Sequence, residues 1–183
     1  LLFGSEEQKK KYLPRLASGQ LFACYCLTEP GSGSDAASVK TTAKLSADGT
    51  HYILNGNKLW ITNGGVATFA TVFAKVEVVE NGEKKDKLTC FILELPTEGW
   101  TPGPAEHKMG IRASWTNAIH LDNVKVPVEN VVGGIGQGFK VAMGVLNHGR
   151  LGLAAGCVGG AKEAIKASVQ HANERVQFKK KIG

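Results

Sequence analysis

The chain has 183 residues, of which 43% are hydrophobic and 21% are charged. That length suffices for one ordinary domain with a sizeable core, and it excludes a large multidomain assembly. The composition excludes a disordered tail, and no run of about 18 apolar residues predicts a transmembrane helix. The 22 basic and 16 acidic residues give a net charge of +6, which favours an anionic partner or ligand.

The positive charge is divided among three short lysine clusters. One begins at Lys9, a second at Lys84 and a third at Lys179. Aromatic residues do not alternate with these lysines, as they do in proteins that bind single-stranded nucleic acid. We therefore expect no nucleic-acid partner. Since the sequence begins at Leu1 without a methionine or a secretory signal, we also expect it to be part of a longer protein.

The cysteines and histidines do not have the spacing of a metal site. Neither a Cys-x-x-Cys pair nor a pair of histidines at ligand spacing occurs, so we expect no metal. The four cysteines stand in apolar segments and are predicted to be buried free thiols: Cys24, Cys26, Cys90 and Cys157.

Residues 1–20 have a helical pattern. Tyr12, Leu13 and Leu16 recur at helical spacing, and Gly19 is a stop signal. Pro14 is expected to disturb the last turn. This segment is predicted to be the end of an N-terminal helical domain.

Residues 21–132 have a period of two, which predicts strands. The Asn55-Gly56 dipeptide predicts a tight hairpin turn between two of them. We expect an antiparallel barrel or sandwich. The predicted strands are 21–28, 38–45, 51–54, 58–62, 68–78, 88–95, 118–121 and 124–126.

Residues 133–183 return to a helical period after Gly138. An apolar stripe from Phe139 to Val169 predicts a long helix that needs partner helices. Gly134 and Gly136 fit no nucleotide-binding frame and indicate the loop before that helix. The predicted fold class is α+β: a short N-terminal helical segment, a middle β-domain and the first long helices of a C-terminal helical bundle.

A glycine-rich segment follows the first predicted strand. Gly31, Gly33 and Ala36 match the G-x-G-x-x-A pattern of dinucleotide-binding folds. That interpretation requires a helix directly afterwards, whereas residues 38–45 alternate as a strand does. Two interpretations remain: an ordinary Ser/Gly turn, or a loop of small residues whose backbone can approach a phosphate or a flat ring.

Two further segments carry side chains that could contact a ligand. Trp60 and Thr62 end a strand, where a planar cofactor could stack on the indole, although a tryptophan that closes a barrel is equally expected from packing. Arg150 lies on the apolar stripe of the long helix, where an unpaired guanidinium is costly. We expect Arg150 to meet a carboxylate or a ligand.

Taken together, four segments resemble the acyl-CoA dehydrogenase family in order and spacing. They are Tyr25–Asp35, Leu59–Gly65, Val124–Val131 and Gly138–Met143. Leu146–Arg150 and Met109–Ser114 resemble the very-long-chain branch. The resemblance covers nearly all of the chain and divides it into domains at residues 1–20, 21–132 and 133–183.

The resemblance implies an FAD site and an acyl-CoA site. The cofactor contacts it implies in the middle domain are Tyr25, Leu27, Thr28, Ser34, Trp60, Ile61 and Thr62, with Ser34 also near the CoA moiety. The residues it implies at the thioester end of the substrate are Asn147, His148, Gly149 and Arg150. The residues that it implies reach the FAD of a neighbouring subunit are Arg175, Gln177 and Phe178; the family usually continues with Gly where this chain has Lys179.

The activity implied is oxidation of acyl-CoA to trans-2-enoyl-CoA, with electrons passed to an electron-transfer flavoprotein. The family places its catalytic base on a downstream Glu or, in a minority, directly before the arginine that matches Arg150, where this chain has Gly149. We therefore expect no catalytic residue in this chain, a base beyond Gly183 and an inactive isolated fragment.

The resemblance further implies a homo-oligomer, dimer or tetramer, in the mitochondrial matrix or the bacterial cytoplasm, with possible peripheral association of the parent with a membrane. Two alternatives stay open: an acyl-CoA oxidase of the same fold, and a non-enzymatic flavin-binding or assembly module.

Overall fold

The computed structural model describes residues 2–183 and begins with helix α1, Glu6–Ala17. Ser5 caps this helix: its hydroxyl accepts a hydrogen bond from the Gln8 amide at 3.2 Å, and the Gln8 side chain accepts one from the Ser5 amide at 3.0 Å. Pro14 lies inside the last turn, and Gly19 follows the helix with a φ of 77°. The predicted N-terminal helix is confirmed.

Helix α1 packs against the sheet through Tyr12, which is only 3% exposed. The Tyr12 ring lies 5.0 Å from the Phe69 ring, and its hydroxyl donates to the Glu94 carboxylate at 3.0 Å. Lys11 pairs with the same carboxylate at 2.6 Å. These contacts hold the helix on the outer side of the sheet.

Eight strands form one sheet: β1 (Ala23–Cys26), β2 (Thr42–Leu45), β3 (His51–Thr62), β4 (Phe69–Glu80), β5 (Glu83–Glu94), β6 (Trp100–Ala105), β7 (Thr116–Pro127) and β8 (Val131–Val132). Their order in the sheet is β6-β7-β3-β2-β4-β5-β8, and β1 also pairs with β4. Most pairings are antiparallel, as predicted, but β1 and β2 run parallel to β4.

The sheet curls around its own core. Tyr52 on β3 and Phe91 on β5 have ring centroids 5.2 Å apart although these strands are not neighbours in the sheet. The inward side chains of β1, β2, β3, β4, β5 and β7 form one buried apolar cluster. The predicted α+β class, with a β-rich middle, is confirmed.

The predicted hairpin turn at Asn55-Gly56 is wrong, because β3 is continuous from His51 to Thr62. Pairing with β7 shifts between Leu54 and Gly56, which makes the dipeptide part of a β-bulge. The Asn55 side chain exchanges hydrogen bonds with Asn123 at 2.8 and 3.2 Å, and Asn123 has a φ of 54°. The two-residue Asn-Gly turn is instead Asn81-Gly82, between β4 and β5, where both residues have positive φ.

We expect Gly56→Ala to lower the free energy of unfolding by about 1–3 kcal/mol. A Cβ at Gly56 would lie 2.5 Å from the Thr41 hydroxyl oxygen and 2.8 Å from its Cα. Gly103→Ala is the matched control on β6, because its Cβ would meet Ala118 at an ordinary 3.6 Å. Urea denaturation of both variants tests the prediction, and equal losses would contradict it.

The turn between β2 and β3 is organised by Asp48. One carboxylate oxygen accepts hydrogen bonds from the Ser46 hydroxyl at 2.5 Å, the Thr50 amide at 3.1 Å and the Thr50 hydroxyl at 2.9 Å. These bonds lower the pKa of Asp48 from 3.8 to about 2. The carboxylate therefore stabilises the folded state fully above about pH 4, and this contribution is lost as the pH falls toward 2.

We expect an NMR titration to place the Asp48 midpoint near pH 2 in the native protein. Ser46→Ala combined with Thr50→Val should move the midpoint toward the ordinary value, because both hydroxyl donors are then removed. A midpoint that does not move in the double variant would contradict the assignment of the cause.

The chain divides into two compact units, the first ending at Ala142 and the second running Met143–Gly183. Helix α2 spans Gly138–Glu174 and is followed by the antiparallel pair β9 (Val176–Gln177) and β10 (Lys180–Lys181). This stretch therefore has one long helix where the sequence predicted a helix and the start of another. None of the helices within residues 2–183 is long and apolar enough to cross a membrane.

The exposed residues of the second unit include most of its apolar stripe. Leu151 and Leu153 are 74% and 70% exposed. Cys157 is exposed as well, which corrects the prediction of four buried thiols, because its position on α2 is open to solvent. Cys24, Cys26 and Cys90 are buried, and burial raises the pKa of the Cys90 thiol to about 12.

Candidate functional site

The glycine-rich segment leaves the sheet along one edge of β4 and returns to the same edge. β1 pairs with β4 as far as Cys26, opposite Val72, and β2 joins the same strand at Thr42, opposite Lys75. Because β5 occupies the other edge of β4, the chain between these pairings must project from the sheet. We call residues Leu27–Thr41 the site loop.

Hydrogen bonds within the site loop give it a defined shape. Glu29 and Ser32 exchange backbone hydrogen bonds at 2.9 and 3.1 Å, and the Ser32 hydroxyl donates to the Asp35 carbonyl at 2.6 Å. Ser32 is therefore buried, whereas Ser34 is exposed. A Cβ at Gly31 or Gly33 would meet nothing within 4 Å, so a ligand can approach this part of the backbone.

Trp60 lies beside the site loop in an unusual conformation. Its φ is 58°, and pairing with β7 shifts between Lys58 and Ile61, so that Trp60 belongs to a second bulge. A left-handed backbone costs a bulky residue about 1–3 kcal/mol and points to a functional constraint. The indole is 57% exposed, and the adjacent Leu59 amide donates to the Thr28 carbonyl at 2.9 Å.

The end of β3 places Thr62 and Ile61 on opposite sides. Thr62 is exposed, whereas Ile61 is 2% exposed and its side chain belongs to the apolar cluster. The following turn is anchored twice: the Asn63 side chain donates to the Ala23 carbonyl at 3.1 Å, and the Asn117 side chain accepts from the Gly65 amide at 2.9 Å. The geometry therefore fixes the rim of the sheet directly after Thr62.

Tyr25 and Leu27 line the inner end of the site loop. The Tyr25 ring lies 5.1 Å from Phe73, and its buried hydroxyl has no hydrogen-bond partner within residues 2–183. Burial, with a smaller contribution from Cys90, raises the pKa of this phenol. Leu27 is 7% exposed.

Sequence reasoning missed Lys58, a residue that is only 1% exposed. Its Nζ lies 2.8 Å from a Glu29 carboxylate oxygen, 2.7 Å from the Phe73 carbonyl and 3.3 Å from the Leu27 carbonyl. Burial lowers the pKa of Lys58, and the hydrogen bond and charge of Glu29, which raise it, offset only part of this effect. Burial alone would raise the pKa of Glu29, but hydrogen bonds from Lys58, Thr41 and the Lys40 amide lower it. One signal in the sequence pointed to its burial: in an alternating strand, Lys58 lies on the same side as Tyr52 and Leu54, which are buried.

In the second unit, the predicted substrate residues lie on α2. The Arg150 guanidinium donates to the Asn147 side chain at 2.9 Å, and the His148 ring nitrogen lies 2.8 Å from the Gly144 carbonyl. Arg150 is exposed, and its partner is an amide where a carboxylate or a ligand was expected. Gly149 has open space on its side-chain face.

The residues predicted to reach a neighbouring subunit lie at the β9–β10 turn. Arg175 follows α2 directly, Gln177 is on β9, and Phe178 at the turn is 96% exposed. Phe178 and Lys179 have φ values of 51° and 64°. Lys179 thus adopts the left-handed conformation that a glycine would favour, so the departure from the family pattern does not prevent the turn.

Several features fit a flavin nucleotide: an exposed indole, a rim threonine and a loop backbone open to solvent at Gly31 and Gly33. A flat ring can stack on the indole, and backbone N–H groups free of bulky side chains can bind phosphate. No group of three or more His, Cys, Asp or Glu side chains in the described part of the chain is arranged to hold a metal ion. The exposed indole and the open loop backbone suit an organic cofactor with a ring and a phosphate.

Comparison with known proteins identifies the class. Residues 24–124 match the model of the acyl-CoA dehydrogenase middle domain, and residues 136–183 match that of the acyl-CoA dehydrogenase C-terminal domain. The chain belongs to the acyl-CoA dehydrogenase family, as the four sequence segments predicted.

Three known proteins illustrate the similarity. The chain is 54% identical to the human mitochondrial very long-chain specific acyl-CoA dehydrogenase, with all of this chain and 28% of the relative aligned. A crystal structure of an acyl-CoA dehydrogenase complexed with FAD from Bacillus anthracis has a TM-score of 0.87 and 51% identity over 99% of this chain and 30% of that chain. The solved structure of the electron transferring flavoprotein of Acidaminococcus fermentans contains a chain with a TM-score of 0.85 and 42% identity, covering 99% of this chain and 46% of that one. The chain thus spans less than a third of the length of its very-long-chain relative.

Proposed function

We propose that the protein containing this chain is an FAD-dependent acyl-CoA dehydrogenase that converts acyl-CoA to trans-2-enoyl-CoA and passes electrons to an electron-transfer flavoprotein. The observation that carries the proposal is that the exposed Trp60, with its left-handed backbone, lies next to the site loop. The hydrogen bond from the neighbouring Leu59 amide to the Thr28 carbonyl, 2.9 Å long, joins the two segments. Family membership and a solved relative complexed with FAD support it.

The middle domain holds the cofactor in this proposal. Trp60 and Thr62 would hold the ring system, Leu27 and Thr28 would contact its pyrimidine side, and Ser34 would bind near the pyrophosphate and the CoA moiety. When bound, FAD supplies the two-electron acceptor that the reaction requires. Tyr25 and Ile61 complete the proposed contacts.

The second unit supplies the substrate contacts, through the α2 residues Asn147, His148, Gly149 and Arg150. Abstraction of the α-proton needs a carboxylate within hydrogen-bond reach of the thioester. Glu29 cannot serve, because its carboxylate binds Lys58 inside the sheet. With Gly149 at the alternative position, we propose that the base lies beyond Gly183 and that residues 1–183 alone do not turn over acyl-CoA.

The remaining proposals concern the whole protein. They are a homo-oligomer in which Arg175, Gln177 and Phe178 reach the FAD of a neighbouring subunit, a location in the mitochondrial matrix or the bacterial cytoplasm, and peripheral membrane association of the parent. The division into domains at residues 1–20, 21–132 and 133–183 likewise stays a prediction.

The test of the reaction uses the purified full-length protein with a long-chain acyl-CoA. We expect bound FAD, bleaching of its absorbance by the acyl-CoA without oxygen, and electron transfer to an electron-transfer flavoprotein. Hydrogen peroxide formed in stoichiometric yield with oxygen would instead identify an oxidase. FAD that is bound but never bleached would favour the non-enzymatic flavin module.

We expect Trp60→Ala in the full-length protein to raise the dissociation constant of FAD about 3- to 10-fold, since an aromatic pair contributes about 0.5–1.5 kcal/mol beyond its area. Trp60→Phe is the matched control, because it keeps a ring at the same position and should lose less affinity. Fluorescence titration of the apoprotein with FAD measures both. An alanine variant that binds as tightly as the phenylalanine variant would contradict stacking.

A further inference from the structure

The feature with no role in the proposed chemistry is the buried ion pair between Lys58 and Glu29, whose side chains are 0% and 5% exposed. Burial of two charges is costly, and such a pair stabilises a fold little compared with apolar residues of the same size. Its position is specific, because it lies where β1 separates from β4 and the site loop begins.

The hydrogen bonds define the charge state of the lysine. Its Nζ has three acceptors, at the Leu27 carbonyl, the Phe73 carbonyl and the Glu29 carboxylate. An ammonium group can donate to all three acceptors, whereas a neutral amine has only two N–H groups, so the arrangement of acceptors fits the charged form. The ammonium thereby satisfies two backbone carbonyls at the point where the strands separate.

Glu29 closes the other end of the same loop. Its carboxylate accepts hydrogen bonds from the Lys40 amide at 2.5 Å, the Thr41 amide at 3.0 Å and the Thr41 hydroxyl at 2.5 Å. Lys58 therefore binds the chain where the loop departs, and Glu29 binds it where the loop returns. We call the place where the two ends of the site loop come together its neck, and Lys58 and Glu29 together hold the neck closed.

Lys58 also connects this neck to the strand that carries Trp60. It stands two residues before Trp60 on β3, and the intervening Leu59 amide binds the Thr28 carbonyl at 2.9 Å. We propose that Lys58 and Glu29 are positioning residues of the flavin site, which hold the backbone of the site loop in its ligand-binding shape against Trp60 before the ligand binds. This inference rests on the proposed function, and it assigns no contact between either residue and the flavin.

The experiment compares Glu29→Gln, Lys58→Met and the double variant Glu29→Gln/Lys58→Met in the full-length protein. Each single variant leaves an unmatched buried group and should lower the melting temperature of the apoprotein; the double variant removes both charges and should recover part of that loss.

The affinity for FAD should not recover together with the melting temperature. We expect the double variant to bind FAD about tenfold more weakly than wild type, because the loop is no longer preorganised. Glu94→Gln, which removes the exposed partner of Lys11, is the control and should leave FAD affinity unchanged.

Hydrogen exchange of the apoprotein supplies the second measurement. Amides of residues 28–40 should exchange faster in Glu29→Gln than in wild type, while β4 and β5 stay protected. FAD affinity in the double variant within twofold of wild type, or unchanged exchange in the loop, would overturn the inference. A wild-type protein that binds no FAD would contradict the proposed function instead, and the exchange measurement would still report on the neck.

Discussion

Gly138→Ala is expected to lower the free energy of unfolding by about 3 kcal/mol. A Cβ at this position would lie 2.7 Å from the Leu88 carbonyl carbon and the Thr89 amide nitrogen. Both are backbone atoms of β5, which cannot rotate away as the end of a side chain can. The first turn of α2 would have to move from the sheet, and the bond from the Gly136 amide to the Thr89 hydroxyl, 2.9 Å long, would be strained with it.

The matched control for this variant is Gly110→Ala. Gly110 lies in a loop with nothing within 4 Å of the added Cβ and without a positive φ, so we expect a change within about 1 kcal/mol of zero. Urea denaturation of the full-length protein compares the two. A loss for Gly138→Ala no larger than that of the control would show that the start of α2 adapts freely.

The second large effect is expected from Arg175→Ala, which should weaken FAD binding about 10- to 150-fold if a charge-assisted hydrogen bond is lost. Helix α2 is continuous from Gly138 to Glu174. Arg150 and Arg175 are therefore about 37 Å apart along the chain at 1.5 Å per residue, too far to bind one end of one ligand. We therefore propose that Arg175 contacts the FAD of a neighbouring subunit.

FAD occupancy after dialysis of the full-length variant measures the effect. Lys179→Ala is the control, because it removes a positive charge from the same turn without removing a guanidinium fork. Arg175→Lys separates charge from geometry and should fall between the two. Retention of FAD by Arg175→Ala at the wild-type level would count against the contact.

The helices and most strands could be predicted because their signals are local. Ser5 and Gly19 bracket α1, and the buried apolar runs of β4 and β5 fall in the strands predicted at 68–78 and 88–95. The two Asn-Gly dipeptides show the limit of such signals. Asn81-Gly82 has charged neighbours and turns, whereas Asn55-Gly56 continues the strand because β2 and β7 pair with β3 on either side and Thr41 packs against the glycine.

The candidate site was predicted as a set of segments, but its internal geometry was not. Trp60 and Thr62 are both exposed at the end of β3, yet the left-handed φ of Trp60 depends on a bulge against β7 that is distant in sequence. The Lys58–Glu29 pair spans 29 residues and joins two ordinary surface residue types. Such a pairing becomes visible only when the curled sheet brings both side chains inside.

The arrangement of the strands also bears on the order of folding. β4 and β5 pair along their whole length around the Asn81-Gly82 turn, so their contacts form with little loop closure. The pairing of His51 with Pro127 joins residues that are far apart in the sequence, so it can form only after the intervening strands have come together. The rate of folding should therefore depend on the long β3–β7 closure, with the β4–β5 hairpin as the early nucleus. The site loop is held between β1 and β2 on the edge of that same hairpin, so its shape is acquired only after the nucleus exists.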